Sequence, residues 1–317
     1  MTLQQSLRNL NQAFTNFFEG RAEYPSFKSK KGDQTARYVG TAFDLREEKG
    51  KRALRLSKMP GLINIQWSRE LPSAPRSCTV TNNAAGQYHV CFVCTEDVET
   101  LPGVNGEDGD LEFVGVDLGI ESLAVLSTGE KVGNPRWFAN EYERLRREQQ
   151  KRSRKEKGSN NWERQRKRVA KVHQRIQDRR KDFIEKLTTR LVKNVDVIVV
   201  ENLSVKNMQK NGRLARHISQ AGWSRMVRRL RDKCEWYGRT LVVADKWFPS
   251  SQRCLGCGRV DGKKPLDVRD WTCSACGTHH DRDINAAKNL SRVGQTRIHA
   301  PGQLGKTDAF EVVGTAG

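Results

Sequence analysis

No stretch of this 317-residue chain reaches the roughly 18 consecutive apolar residues that a bilayer-spanning helix needs, which argues against a helical membrane protein. Its first twenty residues also lack the basic start and unbroken apolar core of a secretory signal, so a cytoplasmic location is expected. Acidic residues are in deficit: 37 Asp and Glu stand against 57 Lys and Arg, for a formal net charge of +20. So strong a positive field is useful against a polyanion, and nucleic acid is the expected partner, with a membrane surface as the competing one. Disulfides are rare in the cytosol, so the eight cysteines are read first as metal ligands. The length allows two moderate domains and a small module, each folded around its own buried core.

Leu3, Leu7, Leu10, Phe14, Phe17 and Phe18 recur at helical spacing before Gly20, which predicts one amphipathic helix in residues 1–22. From Tyr24 to about Val98 the pattern changes to short alternations such as Ala53-Leu54-Arg55-Leu56 and Tyr88-His89-Val90-Cys91-Phe92-Val93, separated by Gly, Pro and Asn turns. A small β-barrel-like domain or sheet is expected over residues 23–100, followed by a linker at 101–110, LPGVNGEDGD. The second domain, 111–292, opens with the apolar strand Phe113–Asp117 and a hairpin partner at Leu123–Leu126. Between Glu141 and Arg190, 19 Lys and Arg face 8 Asp and Glu, and Val169, Ile176, Phe183, Leu187 and Leu191 mark one apolar stripe. One long basic helix, docked by that stripe, is expected. Residues 195–200, VDVIVV, read as a strand covered on both faces that runs directly into Glu201. A helix from Ser219 to Tyr237, a strand from Thr240 to Ala244 and an Ala-rich helix from Asp283 to Leu290 complete an α/β pattern. The Gly-rich, patternless residues 293–317 are expected to be a disordered tail.

Cys254 and Cys257, then Cys273 and Cys276 after a gap of 15 residues, have zinc-ribbon spacing. Four thiolates make a closed tetrahedral site with no position left for water, so one structural zinc per chain is expected in an insert over 250–280. Gly258 and Gly277 follow the two pairs and suit the tight knuckles such a site needs. The other pair, Cys91 and Cys94, has no second half and sits in an alternating strand, so it reads as β-domain packing. Cys78 and Cys234 read as single core or surface residues, and His279 and His280 stay outside a shell that four cysteines already fill.

Three carboxylates stand where elements end or begin: Asp117 after an apolar strand, Glu201 after VDVIVV and Asp283 at a helix start. A carboxylate on a buried strand is costly unless it is paired or binds a cation. Each also has a plain explanation, since Asp117 could cap a turn, Glu201 could mark the strand reaching water and Asp283 could be an N-cap. Taken together they form a set that could hold two Mg²⁺ ions for phosphodiester hydrolysis.

These segments resemble a known family. VGVDLGI (Val114 to Ile120), VVENLSV (Val199 to Val205), SSQRCLGCG and CSACGTHHDRDINAAKNL are similar to motifs of the TnpB (OrfB-type) proteins of bacterial insertion sequences, relatives of the type V CRISPR effectors. The resemblance runs from about Thr2 to Leu290. It implies an RNase H-like (RuvC-type) core with Asp117, Glu201 and Asp283 as catalytic magnesium ligands, Asp283 rather than Asp281 matching the family motif. It also implies RNA-guided DNA endonuclease activity, with guide RNA and target DNA as partners and a monomer bound to RNA. Members usually begin with several dozen further residues, which supply a β-domain strand and most of a helical recognition lobe, so this chain is expected to be N-terminally short.

Arg144 to Arg190, Lys206 to Arg216 and Arg225 to Lys233 supply a basic surface of the size nucleic acid requires. Trp162, Trp223, Trp236, Trp247 and Trp271 lie among these charges, and none is assigned as a base contact. Two further readings remain: a cleavage-inactive guided repressor or remnant, and a transposase of the same element.

Overall fold

In the computed structural model the described residues are 2–27, 29, 32–48, 50–105, 110–212, 214–265, 267–299 and 311–313. They divide into two compact units, residues 1–97 with 143–175, and residues 98–142 with 176–317. The division differs from the expected boundaries because residues 143–175 group with the N-terminal part of the chain.

The first unit opens with helix α1, Thr2–Phe18, and the chain leaves it through Gly20 at a left-handed φ of 68°. Phe14 and Phe17 close edge-on against Tyr24, at 5.7 and 5.3 Å between ring centroids. Strands β1 (Gln34–Val39), β2 (Phe43–Glu48), β3 (Lys51–Leu56), β4 (Ile63–Asn64), β5 (Ser77–Asn82) and β6 (Tyr88–Val93) follow. They pair as two antiparallel three-stranded sheets, in the orders β1-β5-β6 and β2-β3-β4. Alternation turns Leu54 and Leu56 of β3, Cys78 and Val80 of β5, and Val90 and Phe92 of β6 into one shared core. Cys78 is fully buried there, as the core reading allowed, and burial pushes its thiol up to about 11. Cys91 points the other way and is exposed, so it does not take the packing role expected of it.

The expected single basic helix is two, α2 (Trp137–Ser153) and α3 (Asn160–Asn194). Between them Gly158 adopts φ 95°, which no other residue type tolerates well and which ends helical geometry. Within the first unit Gln165 Nε2 then donates to the Glu148 carbonyl (3.1 Å) and carboxylate (2.5 Å), tying α3 back to α2. The predicted stripe is real: Val169, Ile176, Leu187 and Leu191 are buried, and Phe183 is half-buried.

The second unit is built on a six-stranded mixed sheet. Its strands are β7 (Phe113–Asp117), β8 (Ser122–Leu126), β9 (Lys131–Gly133), β10 (Val197–Val200), β11 (Thr240–Val243) and, beyond the ribbon strands β12 (Asp270–Thr272) and β13 (His279–Asp281), β14 (Glu311–Val313). The order is β14-β11-β10-β7-β8-β9. The central β7, β10 and β11 are parallel, while the outer pairs are antiparallel. Parallel strands are covered on both faces, which is why FVGV, VIVV and TLVV are nearly continuous apolar runs. Phe113, Val199 and Val242 share a core with Leu290, while their neighbours Val114, Ile198 and Leu241 are buried just as deeply.

Short helix α4 (Val205–Met208), α5 (Ala215–Ala221) and α6 (Trp223–Tyr237) connect β10 to β11. The helix expected from Ser219 is interrupted at Gly222, whose φ of 74° breaks α5 from α6. Cys234 of α6 is fully buried, and its thiol is pushed up to about 12. At the end of the sheet away from Glu201, Asp196 and Arg239 form a buried ion pair at 2.9 Å. Asp196 also accepts the Val104 and Glu112 N–H groups, and Arg239 donates to the Val192, Leu101 and Pro102 carbonyls.

Helix α7 runs Arg282–His299, longer than the expected helix, and packs across β7 and β10. It extends into the segment expected to be a disordered tail, and β14 adds an antiparallel edge to β11; residues 300–310 and 314–317 lie outside the described residues. Among the described residues no helix is long and apolar enough to cross a membrane.

Candidate active site and metal centre

The sheet register sets the first two carboxylates. Asp117 closes β7, Glu201 follows β10, and the parallel pairing of Val116 with Val200 carries both chains to the same edge. Glu201 and Asp117 lie near enough to act on each other's ionisation, and the Ser250 hydroxyl donates to Glu201 Oε1. Burial raises the pKa of Asp117 well above its usual range, and the charges of Glu201 and Asp283 raise it further against a weaker lowering by Arg282. Glu201 is also raised by burial, although the Ser250 hydroxyl and its interaction with Asp117 pull the other way. Two neighbouring carboxylates repel each other when both are ionised, and a bound cation is one chemical way to relieve that repulsion.

Asp283 stands in the first turn of α7, close enough for its charge to act on Asp117. It is held by Arg269, whose Nη1 lies 3.2 Å from Asp283 Oδ2 and whose Nη2 reaches Glu121 at 2.7 Å. The three acids are not drawn into one tight ligand cage. Among the described residues the cysteine set forms the one group of three or more ligating side chains that close. Capping of α7 falls to Asp281, which accepts the N–H of Asp283 (3.1 Å) and Ile284 (3.0 Å) and pairs with Lys131 (2.6 Å). The DRDIN segment thus divides its acids, one as the cap and one left facing the site.

The Cys254, Cys257, Cys273 and Cys276 sulfurs all lie within 4.8 Å of one another. Each pair is turned by a matching knuckle. Gly258 N–H donates to Cys254 O (2.9 Å) and Gly277 N–H to Cys273 O (3.0 Å), with both glycines left-handed at φ 77° and 71°. The Thr278 hydroxyl at Cys276 Sγ pushes that thiol down to about 6. Four converging sulfurs, one of them disposed to ionise, fit a tetrahedral metal ion. His280 is buried with Nε2 3.0 Å from Cys254 Sγ and His279 is exposed, and the group of converging ligand atoms comprises the four cysteines without either histidine. Cys91 and Cys94 take part in no ligating group among the described residues.

Several supporting residues escaped the sequence reading. Asn285 and Asn289, one turn apart on α7, are buried and donate to Arg253 O (2.8 and 2.7 Å), while Asn289 also reaches Ser250 O (2.9 Å). The Leu255 N–H donates to Asn285 Oδ1. An asparagine pair at i and i+4 on a helix was the available signal. Ser250 and Arg269 left none, because their partners are distant in sequence. Of the tryptophans, Trp223 and Trp271 are buried, while Trp247 and Trp236 are exposed.

The mixed α/β fold that carries these groups is one that solved structures share. The protein in a structure described as "Cryo-EM structure of the Cas12f1-sgRNA-target DNA complex" matches with a TM-score of 0.57 at 14% identity, over 90% of this chain and 69% of that one. A family model described as "Probable transposase" matches residues 94–212, and one described as "Cas12f1-like, TNB domain" matches residues 223–290. A Streptomyces pristinaespiralis protein named "Putative RNA-guided DNA endonuclease" is 47% identical over 92% of this chain and 71% of its own length. The Escherichia coli K12 protein "Putative RNA-guided DNA endonuclease InsQ" is 32% identical over 92% of this chain and 74% of its own. The chain belongs to this family of TnpB-like RNA-guided DNA endonucleases.

Proposed function

We propose that the chain is an RNA-guided DNA endonuclease that hydrolyses phosphodiesters at Asp117, Glu201 and Asp283, on an RNase H-like (RuvC-type) core spanning residues 111–292. The observation that carries the reading is the half-buried pair Asp117 and Glu201, brought to adjoining parallel strand ends by the pairing of Val116 with Val200, with the charge of Asp283 acting on Asp117. Bound Mg²⁺, in a pair, would supply a water made nucleophilic and a counter-charge for the leaving oxygen. Asp117 and Glu201 hold the ligand oxygens on the strands, Ser250 fixes the Glu201 carboxylate, and Asp283 closes the set from α7. Zinc at Cys254, Cys257, Cys273 and Cys276 is assigned a structural role, with the ribbon at 250–280 inserted before Asp283. The net charge of +20 suits guide RNA and target DNA as partners.

Sequencing of RNA that co-purifies with the chain, followed by Mg²⁺-dependent cleavage of DNA matching that RNA, tests this reading. Guided cutting that disappears in Asp117→Ala, Glu201→Ala and Asp283→Ala while nucleic-acid binding persists is the expected result. Cutting retained by all three variants overturns the site assignment. The description "Probable transposase" attached to residues 94–212 favours a second reading, in which strands are joined as well as cut. Joined products in the same assay would select it.

A further inference from the structure

The four thiols of the ribbon are unequally placed. Cys257 and Cys276 are exposed, and the Thr278 hydroxyl stands 3.1 Å from Cys276 Sγ. Cys254 is fully buried, at 0% exposure, so water does not reach its sulfur. With a divalent ion bound, four thiolates leave a net negative charge, and a charge shut off from water is costly unless a donor meets it. His280 approaches that sulfur, with Nε2 3.0 Å from Cys254 Sγ.

The fold fixes the ring in this position. Strand β13 pairs antiparallel with β12 in the register that sets His280 opposite Trp271 and His279 opposite Thr272. Alternation then turns His280 inward, where it is buried, and His279 outward, where it is exposed. The His280 and Trp271 rings lie against each other at 4.8 Å between centroids, and Trp271 shares the small core of the ribbon with Cys254 and Cys273. A metal-bound thiolate carries no proton. A hydrogen bond along this line therefore takes its proton from the ring, whatever the charge of the ring.

We infer that His280 donates an Nε2–H hydrogen bond to zinc-bound Cys254, acting from outside the ligand set to hold the metal. The inference rests on the zinc assignment above and adds to it a role for His280, which offsets the charge of a sulfur that water does not solvate. Hydrogen bonds to an ionised acceptor are about twice as strong as neutral ones, and loss of a residue that supports a metal ligand weakens metal binding by about 10–100-fold. His280 also lies on the strand that runs into α7 and Asp283, so the same bond ties the metal centre to the segment that delivers that carboxylate.

Two measurements on the full, zinc-loaded chain test it. With ¹⁵N-labelled histidine, magnetic resonance is expected to show Nε2 of His280 protonated and slow to exchange with solvent; with ¹¹³Cd in place of zinc, that proton is expected to couple to the metal through the sulfur. Competition against a chromogenic chelator is expected to show zinc held about ten-fold more weakly in His280→Phe, which keeps a ring against Trp271 and removes the N–H. His280→Gln, whose amide supplies a donor, retains most of the affinity, and His279→Phe, on the exposed face of the same strand, changes nothing. A proton on Nδ1 with Nε2 bare, parent-like retention in His280→Phe, or equal loss in His279→Phe overturns the inference. The tautomer is read on the parent, so it decides even if His280→Phe does not fold. A parent that holds zinc without the Nε2 proton overturns this inference alone, and one that holds no zinc overturns the metal centre with it.

Discussion

Gly115 of β7 lies so close to Ala287 of α7 that a Cβ placed on it would come within 1.9 Å of the Ala287 carbonyl oxygen and 2.6 Å of the Ser291 nitrogen. Both are backbone atoms, so no side chain can swing away to make room. The glycine lets α7 approach β7, and α7 brings Asp283 to the strand that carries Asp117. Gly115→Ala is expected to lower stability by about 1–3 kcal/mol, as overpacking does, and to reduce cleavage beyond that loss by displacing Asp283. Denaturant unfolding beside a cleavage assay checks both; parent-like values in each would remove the argument.

Asp281 predicts a pH dependence. Burial alone would raise its pKa, but the Ile284 and Asp283 N–H groups and Lys131 outweigh it, and the net shift is downward. A carboxyl lowered on folding contributes stability above its ordinary value near 4, and the contribution fades as pH falls through the lowered folded value. Asp281→Asn keeps an oxygen for the cap but loses the charge that favours the helix start and pairs with Lys131, so it is expected to cost about 0.5–1 kcal/mol at neutral pH, with the gap from the parent closing in acid. A gap independent of pH would contradict this.

Arg239→Ala should be among the most damaging single changes. It leaves Asp196 buried and charged, and breaking such a pair costs about 3–5 kcal/mol. A matching loss in Asp196→Ala, with the double variant far less than additive, would be read from a double-mutant cycle.

Metal analysis of freshly purified protein should find one zinc per chain, and Cys254→Ser should lose it. Removal of zinc by chelator is expected to release the segment between the cysteine pairs to protease while the sheet core stays protected, as in other structural sites. Absence of zinc in the parent would sink the centre.

Much of the second unit was legible because its strands are buried on both faces: FVGV, VIVV and TLVV have no competing reading, and the carboxylates stand directly after two of them. The knuckles were legible from Gly258 and Gly277, since left-handed geometry demands that residue. The breaks at Gly158 and Gly222 were not. Each glycine sits in a basic or mixed helical run whose period continues on both sides, and only tertiary packing decides whether one glycine ends a helix. Arg269 beside Asp283 and Ser250 beside Glu201 were equally hidden, because no spacing rule relates positions that only the fold brings together. In the tail, Glu311–Val313 is too short to announce itself and becomes a strand by pairing with the open edge of β11.

The two asparagines of α7 complete what Gly115 of β7 and Gly294 of α7 begin. Gly115 sets how near the helix lies to the sheet, and Gly294, where a Cβ would meet Val199 Cγ2 at 2.4 Å, repeats the setting about two turns beyond Ala287. Asn285 and Asn289 grip main-chain carbonyls of Ser250 and Arg253, which stops the helix from sliding along its axis by the 1.5 Å of a single residue. Depth and travel are thus located by separate stops, as a machinist locates a part. Arg292 adds a third hold on the same segment through the Leu255 carbonyl, whereas the outward positions Lys288, Gln295 and Thr296 take no share in that location, so this part of the solvent side of α7 can drift in sequence while Asp283 keeps its place.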